Sequence, residues 1–250
     1  MKRQAIIIGS NPDTKIPGAI ADVHAWEKFL LSLMGGAWNA SEIKTLINPT
    51  NSQAIINIIS NAAYVDYAFI VFSGHGGIYK REKDALGFFE TFLYLNNNNV
   101  LSERQLNPGK NCPRCTIMID CCRGHVPELD TILKEASALE DIQTKFSREY
   151  FRELFDDQLD RSEKGCVKIY STSMGSEASD QISFSRILIK SANSYFIKNQ
   201  KKTILQIDEA VNFAKQTMSN ILPQQNPQYY GGRRLVHFPF AINTLYKDKR

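Results

Sequence analysis

The stretches Tyr67-Ala68-Phe69-Ile70-Val71-Phe72-Ser73-Gly74-His75-Gly76-Gly77 and Thr116-Ile117-Met118-Ile119-Asp120-Cys121-Cys122-Arg123-Gly124 follow one pattern: an apolar run that stops on polar residues and glycine. Neither run alternates apolar with polar residues, so each reads as a strand buried on both faces, of the kind found in a parallel sheet covered by helices on either side. Open sheets of that type bind ligands beyond the carboxyl ends of their strands. His75 and Cys122 fall there.

Working outward, the chain alternates strand and helix signals. Ala5-Ile6-Ile7-Ile8-Gly9 is a short buried strand. Over residues 19–34, Ile20, Val23, Ala25, Trp26, Phe29, Leu30 and Leu33 recur at helical spacing, and Gly35-Gly36 ends that helix. Ile43-Lys44-Thr45-Leu46-Ile47 is a second strand, and Asn51-Ser52 caps a helix over residues 54–63. Residues 96–99 form a turn. Residues 125–165 carry no strand signal and read as a charged helical linker or insertion, with Phe151, Leu154, Phe155 and Leu159 on one face. Cys166-Val167-Lys168-Ile169-Tyr170 resumes the sheet, residues 184–196 and 203–218 are two more helices, and residues 235–242 are the last strand. The expected fold is α/β: a single domain over residues 1–250 with a mainly parallel central sheet of about six strands and helices on both faces.

Composition narrows the function classes. With 250 residues, 43% of them hydrophobic, the chain has enough apolar material for one substantial core and is cramped for two. The net charge of +4 is spread among interspersed acids and bases, and only Tyr229-Tyr230-Gly231-Gly232-Arg233-Arg234 faintly resembles a nucleic-acid patch, so nucleic acid is not an expected partner. No run approaches the roughly 18 apolar residues of a membrane span, and the N-terminal apolar run is too short for a signal-peptide core. Five cysteines, an odd number, agree with a reducing compartment, and the expected location is the cytoplasm, away from any membrane.

A thiol is a useful nucleophile only as thiolate, which requires a base in reach. His75 and Cys122, 47 residues apart (75 to 122), suit two neighbouring strands of one sheet. Taken alone, His75 reads as a loop histidine held by main-chain bonds, and it is the joint occurrence with Cys122 that makes it a candidate base. Cys121 and Cys122 project to opposite faces of an extended strand, so only one of them can meet His75. The same geometry opposes a zinc site built on Cys112-Pro113-Arg114-Cys115, because adjacent cysteines cannot both turn to one ion. A redox motif is also disfavoured, since that Cys-x-x-Cys precedes a strand instead of opening a helix.

Ser-Gly-His-Gly closing one strand and Asp-x-Cys closing the next resemble the caspase and metacaspase clan, and Cys122-Arg123-Gly124 matches the caspase signature, whose His lies about 50 residues upstream. Residues 16–26, with Asp22, and Gln225-Asn226-Pro227-Gln228 resemble further segments in family order, so the likeness runs over residues 5–242. It implies a caspase-like (caspase-hemoglobinase) sandwich and a cysteine endopeptidase acting on protein or peptide substrates. The nucleophile would be Cys122, with Cys121 a core residue and His75 its base and later the acid for the leaving amine. The N–H groups of Gly76 and Cys122 would form the oxyanion hole.

The resemblance also implies a specificity pocket of Asp22, Ser73 and Asp120, with Asp180 adding to its wall. Paired carboxylates select Arg or Lys, and the guanidinium fork favours Arg. Arg123 keeps a caspase-like preference for Asp open, and Asp22 has an alternative role as a carboxylate serving its own helix dipole. Calcium-dependent relatives carry an acidic loop after the His motif. Tyr79-Lys80-Arg81-Glu82-Lys83-Asp84 sets three cations against two carboxylates, so activity without calcium or any other cofactor is expected. Arg161 and Lys164 are the candidate autocleavage sites. Stand-alone proteins of this kind resemble bacterial effectors, some of them acting in anti-phage defence, which implies control by dimerisation, a partner protein or a nucleotide-derived ligand, the last with Arg233-Arg234 as a phosphate site. The alternative is a catalytically silent scaffold acting through protein interactions.

Overall fold

The computed structural model describes residues 1–12, 16–80, 89–122, 146–176, 178–179 and 182–245, with backbone only for Tyr79, Lys80, Phe89, Asn98 and Cys122. In chain order the elements are β1 (Arg3–Ser10), α1 (Gly18–Leu31), β2 (Ile43–Ile47), α2 (Ser52–Asn61), β3 (Tyr67–Lys80), β4 (Phe89–Tyr94), β5 (Val100–Ser102), β6 (Arg114–Cys122), α3 (Arg148–Arg161), β7 (Gly165–Tyr170), α4 (Phe184–Lys198), β8 (Ile204–Gln206), α5 (Ile207–Ile221), β9 (Gln228–Tyr230) and β10 (Pro239–Ile242). The central sheet runs β2-β1-β3-β6-β7-β9. All its pairings are parallel except the last, where β9 meets β7 antiparallel.

Both faces of this sheet are buried, which explains the continuous apolar runs. Ala5, Ile7, Tyr67, Phe69, Val71 and Met118 enter a core with α1, α3, α4 and α5, while Ile6, Ile8, Ala68, Ile70, Phe72, Ile117 and Ile119 enter a second core with α2. On α3, Phe151, Phe155 and Leu159 are buried and Leu154 is partly so, as the spacing predicts. Gly9 lets α1 lie close on β1: a Cβ there would be 2.4 Å from Cγ2 of Val23 and 3.0 Å from the carbonyl of Ala19. That close approach sets the level at which Asp22, on the same helix, meets the strand ends.

Two expectations are corrected. Residues 204–206 do not begin a helix: Ile204-Leu205-Gln206 pairs antiparallel with β10, and α5 starts at Ile207. Leu205 and Phe240 bury their side chains in this small sheet, and that tertiary pairing overrides the helical spacing. Residues 235–242 do not supply the last strand of the main sheet, since only Pro239–Ile242 is extended and it belongs to the two-stranded sheet. The sixth main-sheet strand is β9, whose three residues are too few to show a period. In addition, β3 continues past His75 and pairs antiparallel with β4, which pairs with β5, forming a hairpin beside the strand ends. Residues 125–145 of the expected insertion lie outside the described residues. Among the described residues no helix is long and apolar enough to cross a membrane.

Candidate active site

β3 and β6 pair in unbroken register from Tyr67 opposite Arg114 to His75 opposite Cys122. Residues distant in the chain thus reach one level on adjacent strands, which lie about 4.8 Å apart in a sheet. Two positions earlier, Ser73 stands opposite Asp120. With a side-chain period of two, positions 73 and 75 of β3 and position 120 of β6 belong to the face that carries α1 and α4. The other thiol of the pair, Cys121, is 2% exposed in the α2-side core. It packs under the strand end: a Cβ at Gly76 would lie 2.6 Å from Sγ of Cys121. Gly76 is therefore demanded by packing, and it opens the ladder to β4, opposite Leu93.

Asp22, Ser73 and Asp120 come together in a cluster at most 4% exposed. Ser73 Oγ donates to Asp22 Oδ2 at 2.6 Å. Asp120 Oδ2 accepts from Ser183 Oγ at 3.2 Å and from the backbone N–H of Ser185 at 2.8 Å. Asp120 therefore sits on the N-terminus of α4, where unsatisfied N–H groups and the helix dipole favour an anion. Asp22 lies beyond the first turn of α1, and it bonds to Ser73 on β3 and Arg186 on α4, so it does not serve its own helix dipole. Burial and then the neighbouring Asp120 push its carboxyl up to about 7, against the opposing pull of Arg186 and Ser73.

Arg186, in the first turn of α4, donates from Nε to Asp22 Oδ1 at 3.0 Å. This residue, with Ser183 and Ser185, was absent from the sequence-derived site. Ser183 before an apolar periodic run carries an N-cap signal, and a cation so near a helix N-terminus is an anomaly that asks for a nearby acid.

A family model described as the caspase domain matches residues 2–236. The chain belongs to the caspase-domain family. Among solved structures it is similar to protein GSU0716 from Geobacter sulfurreducens, with 16% identity, a TM-score of 0.52 and coverage of 92% of this chain and 93% of that one. It is also similar to the Drosophila initiator caspase Dronc, with 12% identity, a TM-score of 0.51 and coverage of 96% and 84% respectively. These likenesses show the caspase-like fold. No curated protein matches the sequence. Membership of the caspase-domain family implies a function of cysteine-protease type.

The remaining predicted residues of this caspase domain are scattered. Asp180, Arg123 and residues 81–84 of the loop after the His motif lie outside the described residues, as do the side chains of Tyr79 and Lys80. Arg161 and Lys164 are exposed, but the chain between them is tied down: Ser162 Oγ donates to the carbonyls of Gln158 and His237, Arg114 Nε donates to the carbonyl of Ser162, and Gly165 N–H donates to the carbonyl of Pro113. Cleavage there requires those bonds to open. Arg234 is engaged by the carbonyls of Gly231 and Glu163 and lies over the ring of Phe238 at 4.7 Å, so it holds its own loop. Cys112 and Cys115 are buried thiols on the α2 face, with Cys115 opposite Cys166 and Cys121 at the far end of β6. Gln225, in the segment singled out by its resemblance, is a buried clamp: Oε1 accepts from Ser179 N–H at 3.0 Å and Nε2 donates to the carbonyl of Ser171 at 3.0 Å.

Proposed function

We propose that the chain is a cysteine endopeptidase that cleaves after a basic residue, Arg in preference to Lys. Cys122 attacks the scissile carbonyl as thiolate, with its proton taken by His75. The N–H groups of Gly76 and Cys122 receive the oxyanion. The protonated His75 then gives its proton to the leaving amine, and water releases the acyl group from Cys122. The observation that carries this reading is the shared register: His75 opposite Cys122, and Ser73 opposite Asp120 two positions before. A buried acid pair beside the nucleophile suits a guanidinium or ammonium group on the residue before the cleaved bond. Control by a partner protein or a nucleotide-derived ligand, as in a bacterial anti-phage effector, belongs to the same reading.

Fluorogenic peptides ending in Arg, Lys or Asp, offered to the protein and to Cys122→Ala with and without calcium, test it. The proposal expects turnover of Arg peptides first, Lys next, no effect of calcium, and none by Cys122→Ala. Preference for Asp peptides contradicts the pocket assignment, and equal turnover by Cys122→Ala contradicts the nucleophile.

A further inference from the structure

We propose that Arg186 is an internal occupant of the specificity pocket, a guanidinium that a basic substrate side chain must displace from Asp22, so that the pocket rests in a self-occupied form of low affinity. The inference rests on reading Asp22, Ser73 and Asp120 as that pocket.

Three observations carry it. First, both oxygens of Asp22 are engaged, Oδ1 by Nε of Arg186 at 3.0 Å and Oδ2 by Ser73 at 2.6 Å, so an incoming cation meets a carboxylate already paired with a group of its own kind. Second, the Asp22 side chain is 3% exposed and that of Arg186 20%, so of the two it is the arginine that keeps surface open to solvent. Third, Arg186 stands in the first turn of α4, where the helix dipole repels a cation. Its position is favoured by the acids below it and not by the helix that carries it.

A purely structural ion pair is the competing account. Buried pairs stabilise little compared with apolar residues of similar volume, so stability alone is a weak reason to place an arginine against a buried acid. Self-occupancy has a distinct consequence. If the open pocket is a minor form, apparent affinity for a cation is lowered by the fraction open. Substituting Arg186 by Gln then increases affinity. Because loss of the charge alone also favours a cation, the charge-keeping Arg186→Lys separates displacement of the guanidinium from loss of charge: a gain in Arg186→Gln with none in Arg186→Lys counts against the occupant.

The test uses the full chain carrying Cys122→Ala, so that nothing is turned over, and agmatine as an alkylguanidinium probe in titration calorimetry at pH 8. Adding Arg186→Gln is expected to tighten agmatine binding by about tenfold or more, as for a pocket open roughly a tenth of the time. Asp22→Asn on that background is expected to abolish the gain. Arg186→Lys, which keeps a cation without the guanidinium fork, is expected to fall between, and it serves where circular dichroism shows that Arg186→Gln has not folded. Unchanged or weaker binding in both Arg186 variants, beside measurable binding by Cys122→Ala that Asp22→Asn removes, overturns the occupant and leaves the basic pocket standing. Absence of agmatine binding in every folded variant overturns the basic pocket itself, and the occupant with it.

Discussion

Ser73 Oγ donates a 2.6 Å hydrogen bond to Oδ2 of Asp22, joining the middle of β3 to α1 across 51 residues. The bond is buried and its acceptor is an acid, so its loss leaves a carboxylate oxygen without a donor. Hydrogen bonds to charged groups contribute about 1.5–3 kcal/mol. Ser73→Ala is therefore expected to lose about that much folding stability, seen as a lower urea midpoint at unchanged slope. Urea denaturation checks it, and a midpoint equal to the parent's would mean that another donor replaces Ser73.

The carboxyl of Asp22, pushed up to about 7, faces Ser73 on β3, Asp120 on β6, and Ser183 and Arg186 on or beside α4. Ionisation creates the anion that binds a cation, so agmatine affinity of Cys122→Ala is expected to rise with pH through about 7 and to lose this rise in Asp22→Asn. The stability effect has the opposite sign. A folded pKa above the unfolded value means that Asp22 stabilises the fold in its protonated form, fully below the unfolded pKa near 4, and that this contribution is lost as pH rises through about 7. Asp22→Asn should gain in Tm relative to the parent between pH 5 and pH 8. A constant difference in Tm would show that Asp22 titrates alike in both states.

Gly9→Ala is expected to force α1 away from β1, because the new Cβ would lie 2.4 Å from Val23 Cγ2. Overpacking of this kind costs about 1–3 kcal/mol. The shift also carries Asp22 off its partners, so KM for Arg peptides is expected to rise together with the loss of stability. Urea denaturation and kinetics on one preparation check both, and a destabilised variant with unchanged KM would separate the helix position from the pocket.

Gln225→Ala removes a buried clamp that satisfies Ser179 N–H and the Ser171 carbonyl. The orphaned main-chain groups are expected to cost about 1–3 kcal/mol, seen as a lower urea midpoint at unchanged slope. A midpoint within error of the parent would mean that water replaces both bonds.

The level at which His75 and Cys122 meet was legible because each ends an apolar run in a parallel sheet, and parallel register converts two such endings into one place. The three-residue β9 was not legible, since no period shows in so short a strand, and β8 was hidden by the helical spacing of Ile204 and Ile207. The acids of the site were legible only through family likeness, because a lone Asp22 on a helix carries no sign of its tertiary partners. Arg186 was missed for a different reason: its meaning lies in a pairing 164 residues distant, and in the sequence it is one cation among many.

On the proposed mechanism Cys122 is the nucleophile and His75 activates it. A labelled peptidyl-Arg chloromethylketone, followed by mass spectrometry of the digested protein, tests it most directly. One adduct is expected, on Cys122, lost in His75→Ala and blocked by excess Arg peptide. Labelling of Cys121, Cys112, Cys115 or Cys166 in its place, or labelling of Cys122 that persists undiminished in His75→Ala, would contradict it.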